Sequence, residues 1–292
     1  MRTIDWNLAA AATITEPGVH DIPEDEYHRD PVVGGSLSHT GARKLLPPSC
    51  PALFKHWREH PPLPTEDFDF GHAAHKVVLG AGADLAVIDA EDWRTKAARE
   101  ARMQAHAEGK IPVLTCQHLT VLEMARALRE HPIASALLAA PGRAEQTLVW
   151  RDQRTAVMRR ALVDHLPEPG PGRYILPDYK TSKSAAPEAI RRTMADFGYH
   201  TAADWYLAGI QALGIAADPA FVLIVQEKTA PYLVTVGQPD SVAMRIGRDL
   251  NREALDLYAQ CTAEDHWPGY SSEVELIPLP VWVENQYRKD PW

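Results

Sequence analysis

Apolar residues recur at helical spacing through most of the first half of the chain and at alternate positions through much of the second, so the pattern predicts a helical section followed by a sheet. Residues 1–35 are polar and rich in Pro and Gly, and read as a surface arm with a short helix over Pro23–His28. Ser38 is placed to cap a helix that runs through Ala42, Leu45 and Leu46. After the Pro47–Pro48 break, Pro51–His60 predicts a second helix with Leu53, Phe54 and Trp57 on one side, ended by the Pro-rich stretch from Pro61 to Pro64. Further helices are expected around Phe70, Ala74, Val77 and Val78, over the charged stretch from Glu91 to about Glu108, and over Thr115–Arg129 with Leu119, Leu122, Ala125 and Leu128 inward.

Beyond Pro141 the period shortens to two. Thr147–Trp150, Ala156–Leu166 and Tyr174–Thr181 read as three successive strands with antiparallel pairing. Helices follow over Pro187–Asp196 and His200–Leu213, broken at Gly198. A hairpin of Phe221–Gln226 with Tyr232–Val236 and a helix over Asp240–Gln260 complete the pattern. This order makes the fold class α/β, a mixed sheet flanked by helices with a helical N-terminal extension. The organisation expected is an arm over 1–35, one domain over 36–263 with a helical insertion over 85–140, and a tail over 264–292 that wraps the core or reaches a neighbouring subunit.

Composition narrows the class without naming a chemistry. The 292 residues are 45% hydrophobic and 24% charged, as in water-soluble globular domains, and large enough to bury a core without disulfides. Three scattered cysteines, Cys50, Cys116 and Cys261, form neither a disulfide framework nor a Cys-x-x-Cys metal site, and suit a reducing compartment. The Ala9–Ala12 run is too short for a signal peptide and no stretch reaches membrane-spanning length, so the expected location is the cytoplasm, with no membrane partner. A net charge of −9 argues against nonspecific coating of nucleic acid, yet leaves room for a local basic path. Phosphate loops, His-Glu-x-x-His zinc helices and Gly-x-Ser-x-Gly elbows are absent, so ATP is not an expected cofactor.

The residues that can carry chemistry cluster on two of the expected strands. In Leu176-Pro177-Asp178-Tyr179-Lys180-Thr181 strand alternation sends Asp178 and Lys180 to one face and Tyr179 to the other, while Val163-Asp164 brings a second carboxylate from the preceding strand. Two carboxylates beside an ammonium suit Mg²⁺ or Mn²⁺ and in-line displacement at phosphorus. The same Asp178–Lys180 pair also fits a plain ion pair on an edge strand, and the residues by themselves leave both readings open. Arg151, Arg154, Arg159 and Arg160 surround the hairpin leading to Asp164 and suit phosphate contacts or a solvated surface.

Taken in order, Gly71-x-x-x-His75, Ala144-Glu145-x-x-Leu148-x-Trp150, Val163-Asp164, Pro177-Asp178-Tyr179-Lys180-Thr181-Ser182 and Tyr199-His200-Thr201-Ala202-Ala203-Asp204-Trp205-Tyr206 resemble the PD-(D/E)xK nucleases of the RecE type, within the RecB-like group. The likeness extends from about Tyr27 to Gly247, with Ser36-Leu37-Ser38 before the core and Glu227-Lys228-x-Ala230-Pro231-Tyr232 near its end. The resemblance implies a restriction-endonuclease-like core in which Asp164 and Asp178 bind metal, Lys180 is the catalytic lysine, Glu145 is a carboxylate near the metal or its water, and His75 is a further metal ligand. Tyr206 stands at the Tyr position of the family pattern, Tyr199 and Tyr206 are expected to grip DNA, and Arg159 and Arg160, from their place on the hairpin, are expected as DNA contacts beside them.

The resemblance also implies a Mg²⁺-dependent exonuclease, with Mn²⁺ as a substitute, that degrades one strand of linear duplex DNA from the 5′ end, without ATP. The 3′ single strand left would pass to a RecT-like annealing protein in phage recombination, and the enzyme would be a homo-oligomer. Three cysteines cannot build the four-cysteine iron–sulfur cluster that some RecB-like relatives carry. The pattern departs at Ala202, where relatives usually place the Gln of a Gln-x-x-x-Tyr pair. That departure motivates the other reading, a noncatalytic DNA-end-binding or recombination accessory protein on the same fold.

Overall fold

A computed structural model of the protein describes residues 13–61 and 65–287. The Ala9–Ala12 run and most of the Pro61–Pro64 break therefore lie outside the described residues. The described part of the N-terminal arm is folded onto the domain. Strand β1 (Gly18–His20) is followed by helix α1 (Glu24–His28), strand β2 (Leu37–Ser38), α2 (His39–Leu45), α3 (Pro51–Glu59) and α4 (Glu66–Leu79). Ser38 caps α2 as expected, its hydroxyl accepting from Gly41 N–H. Next come β3 (Leu85–Ile88), α5 (Lys96–Ala107), β4 (Ile111–Leu114), α6 (Thr115–Glu130) and α7 (Pro132–Leu138).

The second half holds β5 (Gly142–Arg151), β6 (Met158–Pro167), β7 (Ile175–Ser182), α8 (Pro187–Phe197), α9 (Tyr199–Ala212), β8 (Ala220–Glu227), β9 (Val234–Gly237), α10 (Ser241–Glu264) and α11 (Val281–Tyr287). Gly198, in the left-handed conformation at φ 68°, closes α8 and opens α9, the break expected there.

Two sheets meet at the centre. One has the order β1-β5-β6-β2, with β1 antiparallel to β5, β5 antiparallel to β6, and β2 parallel to β6. The other runs β7-β8-β9, with β7 and β8 parallel, joined by the α8–α9 crossover, and β8 antiparallel to β9, so the core is mixed as expected; of the three successive strands expected to pair antiparallel, only β5 and β6 do. Between β6 and β7 the ladder is open, although the strands lie side by side. A larger apolar cluster unites Leu148, Trp150, Leu176, Leu223 and Val225 with Trp205 and Ile210 of α9, Leu255 of α10, and Leu45 and Phe54 of α2 and α3. A second cluster packs Phe70, Ala73 and Ala74 of α4 and Val121, Met124 and Leu128 of α6 on Tyr179, Val222 and Ile224. Helices thus cover both faces of the central sheet.

The expected helical insertion over 85–140 also contains β3 and β4, a parallel pair of four residues each. Within α6 the inward face is Val121, Met124, Ala125 and Leu128, whereas Leu119 and Leu122 are exposed. In the tail, Trp267 packs on Phe54 and Tyr258, and the larger apolar side chains from Val274 to Trp282 face outward. Among the described residues no helix is long and apolar enough to cross a membrane.

Candidate active site

The open seam between β6 and β7 creates the site. The backbone N–H of Tyr179, turned toward β6, is captured by Asp164 Oδ2 at 2.7 Å. This pins the Asp164 carboxylate to the neighbouring strand and leaves Oδ1 as its outward oxygen. One residue on either side along β7, Asp178 and Lys180 share a face as strand alternation requires. The Lys180 ammonium stands 2.8 Å from Asp178 Oδ2 and 3.7 Å from Asp164 Oδ2. Tyr179 points the other way into the second core, where its hydroxyl donates to Gln226 Oε1 at 2.6 Å and Gln226 in turn donates to Met124 O at 2.8 Å. That buried chain fixes the rotation of β7 and with it the direction of Asp178 and Lys180.

His75 reaches the same point from α4. Its Nδ1 is 3.8 Å from Asp164 Oδ1, and its ring packs against Tyr179 at 5.2 Å between centroids. Glu145 faces Asp164 across β5 and β6. By register the two oppose one another, yet this is the position that drops out of an otherwise regular ladder, and Glu145 sits at φ 50°. A non-glycine residue in that region costs about 1–3 kcal/mol, which places backbone strain within the site. A cleft of about 280 Å³ joins Glu145, Asp164, Lys180 and His75 with Glu24 and His72.

Burial and charge set the protonation states. Burial pushes Asp178 up to about 7 against the pull of Lys180, with Asp164 adding repulsion. Burial alone would favour the neutral Lys180 amine, but Asp164 and Asp178 together hold the ammonium well above its usual range. Burial lowers His75, outweighing Asp164, so its imidazole is neutral and presents a lone pair. Burial, with Glu24 and Asp164, raises Glu145 to about 7.

Among the described residues no three His, Cys, Asp or Glu side chains converge closely enough to enclose an ion alone. The donor set nonetheless fits a hydrated one. Two ligands of one Mg²⁺ stand roughly 3–4 Å apart given bonds of about 2.0–2.1 Å, and such ions usually take one or two carboxylates and complete their shell with water and phosphate. His75 Nδ1 and Asp164 Oδ1 meet that spacing, and Asp178 has a second oxygen beyond its bond to Lys180.

The other expected residues divide. Tyr206 is enclosed within electrostatic reach of Asp178 and Lys180, its ring edge-on to His39. Tyr199 feels the same charges and stacks on the exposed Phe197. Arg159 and Arg160, expected at phosphates, are buried instead, at 5% and 8% exposure. Arg159 lies over the Trp205 and Trp150 rings, and Arg160 bonds Ser36 and Asp30. Both guanidiniums therefore brace the domain. Glu24 and His72, paired at 3.0 Å, enter the cleft without having been singled out from the sequence. Glu24 sits in the stretch read as a surface arm, and the Gly71-x-x-x-His75 spacing draws attention past His72.

The seam thus brings together Asp164, the Pro177-Asp178-Tyr179-Lys180 run and His75 of α4, and comparison with known proteins gives the class, a PDDEXK-like domain. The family model described as a PDDEXK-like domain of unknown function (DUF3799) matches residues 49–280, and the chain belongs to that family. Among solved structures, a crystal structure titled "Putative exonuclease" from Eubacterium rectale shares the fold with a TM-score of 0.55 and 8% identity, covering 86% of this chain and 93% of that one. No curated protein matches the chain.

Proposed function

We propose that this protein is a divalent-metal-dependent deoxyribonuclease acting from the ends of linear duplex DNA. The observation that carries the reading is the Lys180 ammonium, held between Asp178 at 2.8 Å and Asp164 at 3.7 Å beside the neutral imidazole of His75. Membership of a PDDEXK-like family supports it, as does the fold shared with a protein titled as an exonuclease. His75 and Asp164, joined by Asp178, would hold Mg²⁺ or Mn²⁺, which when bound polarises the phosphate and lowers the pKa of a coordinated water. Lys180 orients the attacking water and balances charge developing on the phosphoryl oxygens. Glu145, when ionised, accepts a proton or a hydrogen bond from that water. Tyr199 and Tyr206 line the approach of the strand. Degradation of the 5′-ended strand, assembly into a homo-oligomer and transfer of the 3′ strand to a RecT-like annealing protein belong to the same proposal.

End-labelled linear duplex and covalently closed circles, each incubated with Mg²⁺ or EDTA and without ATP, test it. Shortening of the linear duplex alone, only with Mg²⁺, is expected, with the order of label release giving the polarity. Nicking of closed circles contradicts end-dependence. Binding of DNA ends without hydrolysis under any divalent ion favours the accessory-protein reading that Ala202 motivates.

A further inference from the structure

A second cleft, about 510 Å³, shares no residue with the carboxylate–lysine cleft. It opens between α9 and α10 at the N-terminal ends of β7 and β8, whereas Lys180 lies in the C-terminal half of β7. Its wall contains a cation short of counter-charge. Arg159 is 5% exposed and 3.9 Å from the Trp205 ring centroid, and its Nε and Nη2 have no acceptor. The carboxylate it faces, Asp152, is 3.9 Å from Nη1 and already gripped by Arg252 at 2.6 and 3.0 Å. Arg252 leans also on Asp256 at 3.6 Å, which Arg154 holds at 3.1 Å. Arg154, Arg159 and Arg252 thus share Asp152 and Asp256, and Asp204, which also attracts Arg159, is shared with Arg248, so four guanidiniums face three carboxylates. Burial pushes Arg159 down to about 10, as expected of a guanidinium without a full partner.

Arg248 stands at the same cleft, 70% exposed and 3.5 Å from Asp204, a carboxylate already accepting from Asn251. Leu207 and Met244, both partly buried, supply the apolar part of its lining. A volume of this size lies in the range of small-ligand sites, and guanidinium forks match phosphate geometry. We propose that this cleft binds a nucleoside monophosphate, with its phosphate on the exposed Arg248, Arg252 and the buried Arg159 supplying charge from behind, and its nucleoside against Leu207 and Met244. Inorganic phosphate answers only the charged end of the cleft and a free nucleoside only the apolar end. This inference stands apart from the nuclease reading, since it uses none of that site's residues.

Calorimetric titration of the full chain in EDTA with deoxyadenosine monophosphate, deoxyadenosine and inorganic phosphate tests it. The monophosphate is expected to bind roughly tenfold or more tightly than either fragment. Arg248→Ala weakens it, and Arg248→Glu weakens it by roughly tenfold or more, the side chain being exposed enough for both variants to fold. Lys180→Ala leaves the affinity unchanged. Absence of binding up to about 10 mM overturns the proposal. So does equal affinity for deoxyadenosine or inorganic phosphate, or binding that survives Arg248→Glu and disappears in Lys180→Ala, which would place the ligand in the other cleft.

Discussion

Lys180 keeps its proton in a buried place because Asp164 and Asp178 stand beside it, and Asp178, pushed up by burial, is drawn back by Lys180 in turn. Removing the ammonium takes the ion-pair partner from Asp178, and under the proposed function Lys180→Ala also removes the group that would align water and neutralise developing charge. A loss of about 10²–10³-fold in hydrolysis is expected, and wild-type turnover by the folded variant contradicts the assignment. Under the same proposal His75→Ala would remove a nitrogen ligand of the metal. Mn²⁺ binding, read by electron paramagnetic resonance of the free ion, is expected to weaken in that variant, whereas unchanged binding would move the metal away from α4.

Glu145 yields a stability prediction with a definite sign. Its folded-state pKa of about 7 lies above the ordinary 4.5, so between those values the folded protein holds a proton that the unfolded chain has released. Its contribution to stability is complete below the lower value and is lost as pH rises through the upper one. In metal-free protein the denaturation midpoint should fall from about pH 5 to about pH 8, and Glu145→Gln should remove part of that fall. An identical pH slope in the variant contradicts the shift. At this scale the sequence was legible where alternation alone decides direction, as for Asp178 and Lys180. It was silent on Glu24, which reaches the cleft through the packing of the N-terminal segment, and it misplaced Arg159 and Arg160 because apolar rings and Ser36 take up their guanidiniums.

Among the elements, α9 carries much of the burden, packing Trp205 into the main core while placing Tyr206 near Lys180. Ala202, where a Gln was expected by resemblance, is 6% exposed, so the structure changes what its replacement should do. Against that packing Ala202→Gln overfills the interior and is expected to cost about 1–3 kcal/mol, measured by denaturation, instead of restoring a useful amide. A stable and faster variant would show that the helix has room on that face. Gly247 on α10 makes the companion case, since a Cβ there would lie 2.4 Å from His200 O. The close approach of α10 to α9 depends on its missing side chain, and Gly247→Ala is expected to destabilise the fold by about 1–3 kcal/mol. Helices with a cap or a long apolar stripe were readable, as with Ser38 before α2 and the long run that forms α10, although the cap Asp240 gives α10 was not foreseen. The short β3 and β4 were not, because four residues with a Pro in one of them carry too little alternation to stand out from neighbouring helices.

For the molecule as a whole, the open seam between two sheets matters most, since it frees the Tyr179 N–H for Asp164 and gives α4 access to the same point. The sequence order predicted an α/β core with a mixed sheet, but the missing ladder between β6 and β7 is a property of topology, invisible to local periodicity. The site brings together residues from α4, β5, β6 and β7, so its chemistry is collective. The most direct test of that chemistry compares wild-type protein with Lys180→Ala, purified alike and shown to have the same unfolding transition, on end-labelled linear duplex DNA with Mg²⁺. Metal-dependent hydrolysis by the wild type and its near-complete loss in the variant is the predicted result. Equal hydrolysis by both, or none by the wild type with Mg²⁺ or Mn²⁺, would contradict the account.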